Sequence, residues 1–304
     1  MNALSKPLWV TARGQSDVGL VRQNNEDSFL IVDLTTGIAI PENDDVHHVM
    51  GENGGLFLVA DGMGGGAAGE IASRMAVEFV AQNLLDSLRV EQSMEQRNFS
   101  RIFKASIEDA NRSVFQEGQR DPNLKGMGTT LTAAAVFDTT LFFAQLGDSR
   151  AYLIRNGSIT QMTQDQSLVA QLVASGALGP EEAKKHPQRN VILQALGLEN
   201  EVNVVMSYQN LKRHDRVVLC SDGLSGKVEA EEVNEVLHKW ARPKDACQRL
   251  IDLARERGGE DNITVIVASF DGEGLLVPDL EDVPVYHRFV KDQRRRFWLW
   301  GRRQ

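Results

Sequence analysis

The sequence has few cysteines and no long apolar run, and both absences narrow the class of protein. Only two of its 304 residues are cysteines, Cys220 and Cys247. Two are too few for a disulfide framework in a chain of this length, so we expect a reducing compartment. No stretch approaches the roughly 20 apolar residues of a membrane span, and the first residues lack the apolar core of a signal peptide. These absences favour a cytoplasmic protein.

Nucleotide-binding motifs are absent as well. The glycine cluster 62–66 precedes a predicted helix, where backbone N–H groups could bind a phosphate. The cluster lacks the Lys-Ser/Thr ending of a P-loop and the spacing of a dinucleotide-binding fingerprint. We therefore reject both nucleotide-binding interpretations.

Acidic residues outnumber basic ones, and the excess is unevenly distributed. The formal net charge is −9. Residues 285–304 hold seven Lys or Arg and one Asp, so this tail carries +6 and the rest of the chain −15. An acidic body disfavours nucleic-acid binding. It suits a cation site if some of the carboxylates converge.

Apolar runs and turn signals predict strands interrupted by two pairs of helices. The predicted strands cover 8–12, 28–32, 55–60, 129–137, 140–146, 151–154, 158–160, 216–220 and 262–270. The predicted helices cover 67–88, 99–116, 229–239 and 244–257. Residues 36–54 are polar and rich in turn formers, which predicts a loop. Single helices do not alternate with strands, so antiparallel sheets with helices on their outer faces fit better than a doubly wound parallel sheet.

Several carboxylates stand at the ends of predicted strands. Asp61 and Asp222 each follow a buried strand and precede a glycine, and Asp261 precedes the last strand. Glu26 and Asp27 lie just before the second strand. Hard cations such as Mg²⁺ and Mn²⁺ prefer oxygen ligands of this kind. Each Asp-Gly pair alone is more often an ordinary turn, so the spacing by itself leaves both interpretations open.

Arg22 lies four residues before Glu26. An arginine beside a cation cluster could bind a phosphate through two parallel hydrogen bonds. The alternative is a surface arginine that pairs with Glu26.

Six short segments, in this order along the chain, carry a resemblance to a known family. They are Gly19-Leu20-Val21-Arg22-Gln23-Asn24-Asn25-Glu26-Asp27, Val59-Ala60-Asp61-Gly62-Met63-Gly64-Gly65, Gly128-Thr129-Thr130, Gly147-Asp148-Ser149-Arg150, Cys220-Ser221-Asp222-Gly223-Leu224 and Gly259-Glu260-Asp261-Asn262-Ile263-Thr264. Together they resemble the metal-dependent Ser/Thr protein phosphatases of the PPM (type 2C) family in its compact bacterial form. The matching segments span about residues 14–270.

The resemblance implies an α+β fold, a central β-sandwich of two antiparallel sheets flanked by helix pairs, with two Mn²⁺ or Mg²⁺ ions at one end. Asp61 would bridge both metals and the Gly62 carbonyl would complete one shell. Asp222 and Asp261 would bind the other metal. Asp148 matches the position of a third, weaker metal site.

The remaining implied roles concern water, phosphate and the flap. Glu26 and Asp27 match a pair that holds metal-bound waters, and Arg22 matches the phosphate-binding arginine. Residues 165–197 resemble a flap beside the active site.

The sequence departs from the family pattern at three positions. Gly66 and Gln166 stand where relatives often have histidine. Met63 stands where eukaryotic relatives have a histidine proposed as general acid, as is usual in bacterial members, so no side chain is assigned that role.

The implied function is hydrolysis of phosphoserine and phosphothreonine on proteins, opposing a Ser/Thr kinase. The expected layout is a catalytic domain over 1–272, a linker over 273–284 and a basic, aromatic tail over 285–304. We expect a monomer without nucleic-acid partners. Two alternatives are kept: a phosphoprotein-binding module without turnover, and another two-metal hydrolase such as a nuclease.

The tail interleaves basic and aromatic residues, which suits an anionic membrane surface at the inner membrane face. An acidic partner, the acidic body of the chain itself, or no partner at all are the other outcomes.

Overall fold

Two antiparallel sheets form the centre of the protein in a computed structural model that describes residues 7–40, 46–64, 67–91 and 94–289. Gly66 and most of the predicted tail, residues 290–304, lie outside these ranges.

The first sheet has six strands. In chain order they are β1 (Leu8–Asp17), β3 (Val46–Met50), β8 (Arg150–Arg155), β9 (Ser158–Gln161), β11 (Arg216–Cys220) and β12 (Ile263–Asp271). Their order across the sheet is β3-β1-β12-β11-β8-β9.

The second sheet also has six strands in its main path. They are β2 (Asp27–Asp33), β4 (Gly55–Met63), β6 (Leu131–Phe137), β7 (Thr140–Leu146), β10 (Val205–Asn210) and β13 (His287–Arg288), in the order β13-β10-β7-β6-β4-β2. The two-residue strand β5 (Gly128–Thr129) pairs with the end of β4.

Helices cover the outer face of each sheet. On the second sheet lie α1 (Ala68–Val90) and α2 (Gln96–Arg120), and on the first lie α6 (Ala230–Lys239) and α7 (Pro243–Glu256). Three short helices are α3 (Leu168–Ala174), α4 (Pro180–Ala183) and α5 (Asp222–Ser225). None of the helices in the described ranges is long and apolar enough to cross a bilayer.

Apolar side chains fill three layers, and the middle layer joins the two sheets. Phe57 of β4 meets Phe270 of β12 edge to face across it, with ring centroids 6.1 Å apart. Both faces of these strands are buried, which explains why β4 and β6 are continuous apolar runs. The expected α-β-β-α architecture is confirmed.

The sequence prediction missed three strands, namely β3, β10 and the two-residue strand β13. Residues 36–54 contain β3, which pairs with the outer side of β1, so the prediction of a loop there was wrong. β10 was missed because its sequence, Val-Met-Ser-Tyr-Gln-Asn, is largely polar. β3 and β13 are edge strands and β10 lies next to one, where one flank has little packing to impose an apolar pattern.

Candidate active site

Asp61 and Asp27 face each other at one end of the second sheet. They are Cα partners in the antiparallel register of β2 and β4. The backbone of Asp61 is fixed by Thr130, whose Oγ1 accepts from the Asp61 N–H at 3.0 Å and whose N–H donates to the Asp61 carbonyl at 2.8 Å. The carboxylate of Asp61 is therefore carried by a rigid strand end.

Gly62 marks a close approach of three chain segments. Its N–H donates to the Glu26 carbonyl at 3.1 Å. A Cβ on Gly62 would collide with the carbonyl oxygens of Gly69 and Glu26. A Cβ on Gly69, in the first turn of α1, would stand 2.7 Å from Glu26 Oε2. Glycine at both positions lets the Glu26 carboxylate lie against the positive end of α1.

Asp222 reaches the same place from the first sheet. It begins α5, separated from the end of β11 by one residue, and its carboxyl is near enough to the Asp61 carboxyl for its charge to raise the pKa of Asp61. Ser221 links the sheets, because its hydroxyl donates to Asp27 Oδ2 at 2.8 Å and accepts from the Thr264 N–H at 3.0 Å. Carboxylates that are about 160 residues apart in the chain are thus brought together.

Arg22 and Asp261 form the outer rim. Arg22 Nη2 donates to Asp261 Oδ2 at 2.9 Å, and the two side chains are 52% and 36% exposed. Arg22 therefore forms its hydrogen bond with Asp261 and not with Glu26. The charge of Glu26 is still near enough to raise the pKa of Arg22. The guanidinium is partly exposed and stands beside the acidic cluster.

Asp148 lies in the turn between β7 and β8. Its charge is near Asp222 and Asp165. Asp165 accepts from the Arg150 guanidinium at 2.7–3.1 Å through both oxygens. Gln166 exchanges hydrogen bonds with the backbone of Gly147, through its N–H at 2.8 Å and its Oε1 at 3.1 Å. Gln166 thus attaches the start of the expected flap, residues 165–197, beside Asp148.

Burial raises the pKa of these carboxyls. It raises the pKa of Asp27 to about 7, against hydrogen bonds from Thr264 and Ser221 that lower it. Burial raises the pKa of Asp148 to about 7 as well, and the charge of Asp222 adds to the effect.

The pKa values of Asp61 and Asp222 are raised in the same way. Burial first, and then the charge of Asp27, raises the pKa of Asp61 well above its usual range. Burial and the charge of Asp261 raise the pKa of Asp222. Four buried carboxyl groups, those of Asp27, Asp61, Asp148 and Asp222, therefore share one region in which burial and neighbouring negative charge disfavour their ionisation.

The donors present fit hard divalent cations. All are oxygens, and Asp27 Oδ1 and Asp148 Oδ1 are buried without a hydrogen-bond partner. A bound cation would offset the unfavourable energy of buried carboxylates that repel one another. Within the described residues, no three His, Cys, Asp or Glu side chains already form a finished ligand set. The carboxyls thus gather at one end of the sandwich without closing on a common point.

Sequence reasoning missed the polar residues that hold the site together. Ser221, Thr264, Thr130 and Asn262 belong to the six segments, but the sequence predicted no role for their side chains. Asn262 is 5% exposed. Its side chain donates to the Val18 and Asn24 carbonyls at 3.0 Å and accepts from the Glu26 N–H at 2.8 Å. Its place beside an aspartate at a strand start was the available signal.

A family model and the sequence relatives of this chain agree on one family. The family model described as protein phosphatase 2C matches residues 39–262. The serine/threonine protein phosphatase PstP of Mycobacterium tuberculosis is 37% identical over 254 residues, which are 84% of this chain and 44% of PstP. The chain thus spans less than half the length of that relative. The serine/threonine phosphatase stp of Listeria monocytogenes is 34% identical over 260 residues, 86% of this chain and 96% of stp.

Solved structures agree with the sequence relatives. Stp1 of Staphylococcus aureus superposes with a TM-score of 0.73 at 34% identity, covering 85% of this chain and 94% of that one. The catalytic domain of PstP in complex with two manganese ions gives 0.70 at 35% identity, covering 87% and 99%. On the fold, the strand-end carboxylates and these matches, the chain belongs to the protein phosphatase 2C family.

Proposed function

We propose that this chain is a metal-dependent protein serine/threonine phosphatase that hydrolyses phosphoserine and phosphothreonine. The observation that carries the proposal is the meeting of Asp61, Asp222 and Asp27 at one end of the sandwich, with Asp261 and Arg22 at its rim. The names of the relatives support the same reaction.

The proposed ligands for two Mn²⁺ or Mg²⁺ ions are the residues that the resemblance implied. Asp61 and the Gly62 carbonyl would serve one ion and Asp61, Asp222 and Asp261 the other, with Glu26 and Asp27 holding waters. Asp148 would contribute to a third, weaker site. When bound, such cations supply acidified water and neutralise charge on the phosphoryl group. The two manganese ions of the PstP catalytic domain support the count of two.

Side chains of this chain would bind the phosphoryl group and hold the carboxylates in position. Arg22, once released from Asp261, has a fork of donors that matches phosphoryl oxygens and stabilises their charge in the transition state. Ser221 holds Asp27 by a hydrogen bond at 2.8 Å. Thr130 fixes the backbone of Asp61 on both sides. Direct attack by water needs no nucleophilic side chain, and no protein general acid is assigned.

The proposed substrates are phosphoproteins, among them a Ser/Thr kinase or the proteins it modifies. The non-catalytic binding module is disfavoured because every implied carboxylate ligand is present. The nuclease alternative is disfavoured by the acidic body. Three properties of the whole chain stay predictions: a cytoplasmic location, a monomeric state and contact between the tail and a membrane. The domain boundaries also stay predictions, at 1–272, 273–284 and 285–304.

A phosphopeptide assay tests the proposal. Phosphoserine and phosphothreonine peptides should release phosphate with Mn²⁺ or Mg²⁺ and not with chelator. Asp61→Asn should abolish release, because the substitution removes a buried charge that the cations need. Asp86→Asn, on the exposed side of α1, is the matched control and should keep wild-type activity. Chelator-insensitive turnover, or full activity of Asp61→Asn, would contradict the proposal.

A further inference from the structure

The segment that follows β12 presents an exposed apolar ridge, defined here as residues 276–285. Fifteen large apolar side chains are exposed in the described parts of the chain. Five of them fall within these ten residues. They are Leu276 (75% exposed), Val277 (66%), Leu280 (98%), Val283 (49%) and Val285 (46%). Scattered apolar side chains are ordinary on a surface, whereas five exposed ones within a ten-residue segment make that segment a candidate contact site.

The ridge is held on the body by its backbone. Arg213 donates to the Leu276 carbonyl at 2.8 Å. Asn156 Nδ2 donates to the carbonyls of Asp279 at 2.7 Å and Asp282 at 3.0 Å. Thr160 donates to the Pro284 carbonyl at 2.9 Å. Four carbonyls of the ridge are therefore bonded to the body, while its five apolar side chains are exposed.

The ridge is also acidic. It contains Asp279, Glu281 and Asp282 and no Lys or Arg. Asp282 pairs with Lys212 of the body, while Asp279 and Glu281 are exposed. An anionic lipid surface is repelled by such a ridge, so its occupant is expected to be both apolar and basic.

The chain beyond the ridge has that composition. Residues 290–304 carry six Lys or Arg against one Asp, and they include Phe297-Trp298-Leu299-Trp300. The last described residue, Phe289, is fixed beside β10, where its N–H donates to the Met206 carbonyl at 2.8 Å and its ring meets Tyr208.

The remaining chain is long enough to reach back. Leu280 lies nine residues before Phe289, so the two are at most about 30 Å apart. Residues 297–300 begin eight residues after Phe289 and can retrace roughly 26 Å of that span. A chain that reverses after β13 can therefore lie along the ridge from Val285 toward Leu280.

We propose that residues 290–304 fold back over the ridge. The aromatic block 297–300 covers Leu280, Val283 and Val285, and the arginines pair with Asp279 and Glu281. The chain's own tail is favoured over a second copy because the tether supplies an effective concentration in the millimolar range. The contact lies on residues outside the carboxylate cluster and is independent of the proposed reaction.

Quenching of tryptophan fluorescence in the full chain tests the contact. The chain has four tryptophans, Trp9, Trp240, Trp298 and Trp300. Subtracting the signal of a Trp298→Phe/Trp300→Phe variant isolates the two tail indoles. Their acrylamide quenching constant should rise roughly threefold in a Leu280→Ser/Val283→Ser variant, because a covered indole is shielded from a collisional quencher. Val90→Ser, at an 80% exposed position on α1, should leave the constant unchanged.

Three results would overturn the proposal. Equal quenching of the tail indoles with and without the ridge substitutions removes the contact. Protection that appears only with phosphatidylglycerol vesicles assigns the tail to a membrane instead. Protection that increases with protein concentration assigns the ridge to a second copy. An unchanged far-ultraviolet circular dichroism spectrum and an unchanged Tm check that the ridge variants are folded.

Discussion

Arg22 is the residue whose position gives the most specific expectation. Its guanidinium is half exposed and engaged by Asp261, so binding a phosphate requires exchange of one anionic partner for another. An exposed pair of this kind holds with little net energy. The exchange therefore costs little, and a cation at Asp261 would weaken the pair further.

The first prediction concerns this arginine. Arg22→Ala should raise KM for a small aryl phosphate on the order of tenfold or more, since a hydrogen bond to a charged group contributes about 1.5–3 kcal/mol. Arg22→Lys should recover part of the loss, because lysine keeps the charge and lacks the planar fork. Steady-state kinetics with Mn²⁺ decide the matter. Unchanged KM and kcat in Arg22→Ala would remove the assigned role.

At the scale of elements, the β1–β2 connection is positioned by a partner more than 200 residues later in the chain. Asn262, at the start of β12, bonds to Val18, Asn24 and Glu26. The connection carries Arg22 and Glu26, so the rim of the site depends on this one buried amide. Local sequence preferences do not specify contacts between residues so far apart in the chain.

The second prediction follows from these three hydrogen bonds. Asn262→Ala should lower the free energy of unfolding by about 2–4 kcal/mol, because several buried backbone groups lose their partner. It should also weaken Mn²⁺ binding, measured by calorimetry, since Glu26 loses its support. Asn234→Ala removes one hydrogen bond to Gly157 on the outer surface and should cost about 0.5–1.5 kcal/mol. Equal losses of stability in both variants would contradict the assigned importance of Asn262.

At the scale of the whole molecule, the carboxyl cluster couples stability to pH. Asp27 and Asp148 have pKa values of about 7 in the folded protein, whereas the ordinary aspartate value, taken for the unfolded chain, is 3.8. The folded state therefore binds more protons than the unfolded state between these values. By linkage, stability falls as pH rises through this window and levels off above it. The Glu232 pKa is lowered to about 2 beside Arg257, so that exposed pair acts in the opposite sense and only at more acidic pH.

The third prediction is a thermal shift. In chelator, Tm should fall as pH rises from about 5 to about 8, by roughly 2–4 °C for each kcal/mol lost. Mn²⁺ should raise Tm more at the higher pH, because cations bind the deprotonated carboxylates. Asp148→Asn should flatten the chelator profile. A chelated protein whose Tm rises over the same range would disprove the linkage.

The sequence alone determined the two helix pairs and most of the buried strands, and it placed Asp61, Asp222 and Asp261 at strand ends. The helical period, continuous apolar runs and acids at strand ends are local signals that packing did not override. β3, at a sheet edge, and β10, next to one, were missed because partial packing leaves no such signal in the pattern.

Only the tertiary structure decided which of these residues meet. The pairing of Asp27 with Asp61 depends on register, and the approach of Asp222 depends on two sheets that pack face to face. The support from Ser221 and Asn262 links positions almost 200 residues apart or more. Spacing along a chain does not encode such distances, because they follow from how the whole core fills space.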